Sequence, residues 1–139
     1  MRVTRRYHFA ASHRLHSRAF SEEENRELYG KCSNPYGHGH DYVLEVTAEG
    51  PVDSVTGHVV HVPTLDRLVA EQVLQDFDHR YLNADVIEFQ SGIPTSENII
   101  RAIEDRLSAR WSEAFPGQWP RLEGIRLRET RRNAFELKS

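Results

Sequence analysis

His38-Gly39-His40 is the sharpest chemical feature of this sequence. On an extended strand side chains repeat every two residues, so the two imidazoles share a face and can share a metal ion. Gly39 between them is expected to remove steric bulk. A catalytic zinc takes three protein ligands and keeps a fourth position open, so one further ligand is needed. His13, in Ala11-Ser12-His13-Arg14-Leu15 at the end of a predicted strand, is the best candidate, although position alone does not select it over His8 or His61. His8, His16, His58 and His61 are read as non-ligands. An isolated H-x-H pair is more often solvated than metal-bound.

Cys32 lies six positions before His38 in a polar Gly/Asn/Pro-rich stretch. A lone cysteine is commonly a small buried hydrophobe. This setting instead favours a thiol whose pKa is lowered by a nearby metal or histidine, and which acts as a nucleophile or base. Asp78-His79 has the composition of a proton relay, in which the carboxylate fixes the imidazole tautomer. A helix-end histidine facing the macrodipole is the plainer account of that pair. Glu129 shares a predicted strand face with Ile125 and Leu127, where an apolar residue is expected. A carboxylate there needs a partner, which a ligand amidine or an arginine supplies.

The elements that must position these groups follow from periodicity. Val3, Arg5, Tyr7 and Phe9 alternate within a strand over 2–9, and Tyr42, Leu44, Val46 and Ala48 within another over 41–49. Residues 14–37 read as a long loop with a helical turn around Glu22–Leu28. Gly50 to Gly57 reads as a turn and His58 to Val62 as a returning strand. Pro63 opens a helix carrying Leu65, Leu68, Val69, Val73 and Phe77. Pro94-Thr95-Ser96 opens a second, with Ile99, Ile100, Ile103, Leu107 and Trp111 on one stripe. Strands over 122–130 and 135–137 complete the sequence. The predicted class is α+β, an antiparallel four-stranded sheet with two helices on one face. Such a sheet leaves open edges, which predicts an oligomer.

The 139 residues suit one domain spanning 1–139. A formal net charge of −3 provides no global field for nucleic acid. The apolar runs are too short for a membrane-spanning helix, and no apolar segment of a secretory signal follows the charged N-terminus. The single cysteine cannot form an internal disulfide, so a reducing cytoplasmic setting is expected.

Taken together, FAASHRLHS at 9–17, EEN at 23–25, GKCSNPYGHGHDY at 30–42, FDHRYLN at 77–83, PTSEN at 94–98 and RET at 128–130 resemble the 6-pyruvoyltetrahydropterin synthase family. The resemblance implies the T-fold, a ββααββ unit whose subunits join sheet to sheet into a barrel, with two trimers stacked as a homohexamer and active sites at subunit interfaces. It implies Zn2+ on His13, His38 and His40. It implies Cys32 as catalytic base, with Asp78 and His79 as catalytic partners from a neighbouring subunit. Glu129 would grip the amidine-like edge of the pterin, and Thr95, Ser96 and Glu97 would line the same substrate pocket.

The implied reaction is elimination of triphosphate from 7,8-dihydroneopterin triphosphate with internal redox rearrangement, a carbon–oxygen lyase step that needs no nicotinamide. The related 6-carboxytetrahydropterin synthases of the queuosine and deazapurine pathway share the fold, the zinc and the substrate. They typically place three residues between the cysteine and HGH, whereas five intervene here, Ser33 to Gly37. A relative that makes a folate precursor has glutamate in place of the cysteine. A non-catalytic zinc-stabilised pterin-binding module is the remaining alternative, and it predicts Cys32 as a fourth zinc ligand. Two segments depart from the family pattern. His61–Leu65 lacks an acidic residue at the first helix, and 131–135 is unusually basic.

Overall fold

The computed structural model describes all 139 residues. Strands β1 (Arg2–His13) and β2 (His38–Glu49) form its central hairpin, paired without interruption from Arg2↔Glu49 to His13↔His38. Both strands run further than alternation predicts, and the added length carries the histidines. β3 (Arg80–Tyr81) runs parallel to β1, β4 (Arg121–Arg128) antiparallel to β2, and β5 (Ala134–Lys138) antiparallel to β4. The sheet is thus five-stranded, in the order β3-β1-β2-β4-β5, rather than four-stranded.

Five helices complete the fold: α1 (Glu22–Tyr29), α2 (Val62–Val69), α3 (Gln75–Phe77), α4 (Leu82–Asp85) and α5 (Ser96–Ala114). A π-helical turn over Ala70–Leu74 joins α2 to α3. Phe9, Ala11 and His13 of β1, Tyr42, Leu44 and Val46 of β2, and Ile125 and Leu127 of β4 are buried on one sheet face. Leu65, Val69, Val73 and Phe77 from the α2–α3 segment and Ile99, Ile103 and Leu107 from α5 pack there, every one without solvent exposure. Each such side chain stabilises the fold by about 1.5–3 kcal/mol relative to exposure. The other face is polar, with Thr4 bonded to Thr47 at 2.7 Å and Glu45 between Arg6 and Arg126, 3.6 Å from each.

The predicted returning strand over 58–62 does not form. β1 and β4 already occupy both edges of β2, which leaves the segment no place to pair with β2. Asp53 instead ties the segment into a turn, its carboxylate accepting from the N–H groups of Val55 and Thr56 at 2.8 Å. α2 then begins at Val62 with His61 at its N-cap, where His61 Nδ1 lies 2.7 Å from the Thr64 hydroxyl. The 14–37 segment is also more ordered than a loop. α1 starts on a capping box in which Ser21 and Glu24 bond reciprocally. A 3₁₀ turn over Gly30–Ser33 follows it.

Candidate functional site

The site lies where the β1–β2 ladder ends against the N-terminus of α5. Because odd residues of β1 and even residues of β2 face the helices, His13 and His40 reach the buried side of the sheet together. Gly39 points to the opposite face, where an added Cβ would meet only the Ala11 carbonyl at 4.0 Å. The expected relief of bulk between the histidines is therefore not what glycine does there. Gly37 is the constrained residue, with φ +84° and the Tyr81 ring and His13 carbonyl within 3.2 Å of its Cβ position.

Cys32 arrives from the loop. Leu15 N–H donates to its carbonyl at 2.7 Å, and the Arg14 guanidinium donates to the neighbouring Ser33 carbonyl at 3.2 Å. Asn83 of α4 clamps Arg14, accepting from its N–H at 2.8 Å and donating to its carbonyl at 2.9 Å. Behind this, Asn25 is 1 % exposed and its amide bonds Ser17, Phe20 and Ser21, fixing the loop to α1. Glu129 follows β4. Its N–H donates to the Asn133 carbonyl at 3.2 Å, and Thr130 Oγ1 accepts from the N–H groups of Arg132 and Asn133. The basic 131–133 segment is thus the tight turn that presents Glu129.

The donor atoms of His13, Cys32, His40 and Glu129 all lie within 4.8 Å of one another. His40 Nε2 is the hub: His13 Nε2 and Glu129 Oε1 are each 3.1 Å away, and Cys32 Sγ is 3.7 Å away. The Ser96 hydroxyl donates to the other carboxylate oxygen of Glu129. His13 Nδ1–H donates to the Pro94 carbonyl at 2.8 Å, which leaves the Nε2 lone pair facing the group. A borderline-soft cation such as zinc suits this N/N/S/O donor set. Two imidazole nitrogens bound tetrahedrally at about 2.0–2.1 Å stand roughly 3.3 Å apart, close to the spacing found. The group could bind a metal.

Electrostatics fit a cation as well. Burial lowers the pKa of His13 and of His40, which keeps both imidazoles neutral and able to ligate. With no cation beside it, the Cys32 thiol is pushed up, first by burial and then by the Glu129 charge. A neighbouring cation is what reverses such a shift.

The remaining predicted residues are distributed around this group. The His38 ring stands edge-on to His40 at 4.7 Å, outside the four-donor set. Thr95 is the N-cap of α5, accepting from Asn98 N–H at 3.3 Å, while Glu97 is exposed on the first turn. Asp78 and His79 hydrogen-bond to no member of the Cys32 group. His79 has φ +59° and an 82 % exposed side chain, with Nε2 3.6 Å from Asp78, whose carboxylate also accepts from Ala10 N–H at 2.9 Å. The imidazole borders an open cavity of about 610 Å³ with Ser12, Asp41 and Asp85, on the polar side of the sheet. Sequence reasoning missed Pro94, whose contribution is a backbone carbonyl, and Tyr42, whose hydroxyl is 3.5 Å from His13 Nδ1.

The family model described as 6-pyruvoyl tetrahydropterin synthase matches residues 2–139. The 6-pyruvoyl tetrahydrobiopterin synthase of Poecilia reticulata is 43% identical over 131 residues, 94% of this chain and 85% of that protein. The protein of that name from Homo sapiens is 45% identical over 105 residues, 76% of this chain and 72% of its own length. The structure of Caenorhabditis elegans 6-pyruvoyl tetrahydropterin synthase superposes with a TM-score of 0.88 at 36% identity, covering all of this chain and 95% of that one. A Plasmodium falciparum structure of the same title, 16% identical with a TM-score of 0.64, shares the fold. By sequence along nearly its whole length, and by fold, this chain belongs to the 6-pyruvoyl tetrahydropterin synthase family.

Proposed function

We propose that this protein is a zinc-dependent lyase that eliminates triphosphate from 7,8-dihydroneopterin triphosphate to give the 6-pyruvoyl tetrahydropterin. The observation that carries the reading is the convergence of a half-buried thiol on two neutral histidines and a Ser96-bonded carboxylate, in a member of this family.

His13, His38 and His40 would hold the metal, with Cys32 off it. Bound zinc supplies Lewis acidity toward the hydroxyls of the substrate's three-carbon tail. Glu129, oriented by Ser96, accepts the two parallel N–H groups of the pterin amidine edge and sets the ring in the pocket. The Cys32 thiolate removes a C–H proton from that tail. Triphosphate departs with its bridging oxygen as the tail is oxidised and the ring reduced. The exposed His79, with the partly buried Asp78 beside it, would serve as proton shuttle for the site of a neighbouring subunit in a homohexamer. The long free edges of β1 and β5 support that assembly. A cytoplasmic setting suits the single free thiol.

One observation favours a second reading. Cys32 Sγ is itself within the four-donor group, as a closed, non-catalytic zinc module requires. Incubating zinc-loaded protein with dihydroneopterin triphosphate and identifying the product by mass spectrometry separates the readings. A 6-pyruvoyl product with free triphosphate is expected. A 6-carboxy product with acetaldehyde moves the protein to the deazapurine branch, and zinc binding without turnover supports the module.

A further inference from the structure

Tyr42 is buried to 0 % exposure, and its ring is clamped flat on Phe9, centroids 4.9 Å apart and planes 16° apart. Phe9 is its partner across the β1–β2 ladder, so ladder and stack together fix where the hydroxyl stands. The only hydrogen-bond partner the protein offers that hydroxyl is His13 Nδ1, at 3.5 Å. His13 is equally buried, and its Nδ1–H is already donated to the Pro94 carbonyl at 2.8 Å. The phenolic oxygen therefore takes the longer branch of a shared N–H, and its own hydrogen has no protein acceptor. A phenylalanine would fill this core position without burying a hydroxyl, and burying a hydroxyl whose hydrogen has no acceptor costs stability. Such a group marks a position held for something other than packing.

We propose that Tyr42 is a positioning residue of the metal centre: with the Pro94 carbonyl, its hydroxyl holds His13 as the Nδ1–H tautomer and keeps Nε2 turned on Cys32, His40 and Glu129. The inference rests on the metal reading above. Partners of this kind, bonded to the far nitrogen of a ligating histidine, typically change metal affinity by about 10–100-fold when removed.

Tyr42→Phe is the direct test, since it keeps the stack and most of the volume. Zinc and cobalt(II) affinities are measured by chelator competition, and urea stability on the chelated protein. The expected result is a metal Kd raised about tenfold or more, with the chelated variant no less stable than wild type. An affinity within about twofold of wild type overturns the inference, as does an undiminished effect in a His13→Ala background, because Tyr42 acts through His13. If Tyr42→Phe fails to fold, 3,5-difluorotyrosine at position 42 keeps the hydroxyl as a weaker acceptor. It should raise Kd in the same direction by a smaller factor, and an unchanged Kd is again decisive against. A wild-type protein that binds neither metal overturns the metal reading and this inference with it, whereas a wild type that binds tightly isolates the Tyr42 question.

Discussion

Cys32→Ala separates the two roles open to the thiol. Without a cation, burial and Glu129 raise its pKa above the ordinary value of 9.0, so fewer than about one thiol in a hundred is ionised at pH 7. A divalent ion about 5 Å away, at an effective dielectric of about 20, favours the thiolate by about 7 kcal/mol, roughly five pKa units. That is enough to ionise it at neutral pH. If Cys32 is the base, alanine removes a proton-transfer group worth about 10²–10⁴ in rate, or about 3–5 kcal/mol, and leaves the metal in place. Triphosphate release should fall by that factor while zinc stoichiometry, measured by atomic emission, is unchanged. Alkylation of wild-type Cys32 by iodoacetamide should also accelerate on zinc loading, since the thiolate is the reactive form. Turnover within about tenfold of wild type would refute the base assignment. Zinc lost together with turnover, and a thiol protected by zinc, would make Cys32 a ligand.

Three further outcomes follow from the geometry. Glu129→Gln removes the charge from the proposed pterin contact while keeping its shape, so substrate-analogue binding measured by calorimetry should weaken by about 1.5–3 kcal/mol. Thr95→Ala deletes the α5 cap beside Pro94 and Ser96 and should cost about 1 kcal/mol in urea unfolding, recovered by Thr95→Ser. The Arg106 guanidinium donates to both oxygens of Glu88, at 2.6 and 2.7 Å, and holds that carboxyl below its ordinary value. Its stabilisation is therefore full above about pH 4.5 and lost as pH falls through the depressed folded value. Wild type should lose urea stability across that acid window more steeply than Glu88→Gln, and parallel curves would show that the ion pair contributes nothing there.

Apolar alternation located β1 and β2, and helical stripes located α2 and α5, because those residues face the core. Elements without an apolar signature escaped. The only buried residue of α1 is Asn25, so no stripe announces a helix there. β3 is two residues long and exists because β1 offers an edge beside Ala11 and Ser12, which is a tertiary fact. Val59 and Val60 have the residue types of a strand, yet Val60 is buried in the core without any ladder. At the site, Cys32, His40 and Glu129 stand out by type or by breaking a pattern. The choice of His13 among eight histidines rests on family resemblance, and only the buried face of β1 supplies its physical reason. Pro94 and Tyr42 are invisible in the sequence because a backbone carbonyl leaves no trace in residue type and a tyrosine on an apolar face reads as packing.

The uninterrupted β1–β2 ladder places the histidine end and the Met1 end of the hairpin on one ruler. Shifting one strand by a single residue would flip its side chains to the other face, sending His13 to one side of the sheet and His40 to the other. Repacking could rescue part of the core; the donor group could not be rescued. On the metal reading proposed above, metal loading is a check on strand registration, and a misregistered hairpin would betray itself as a protein that folds compactly but takes up no metal.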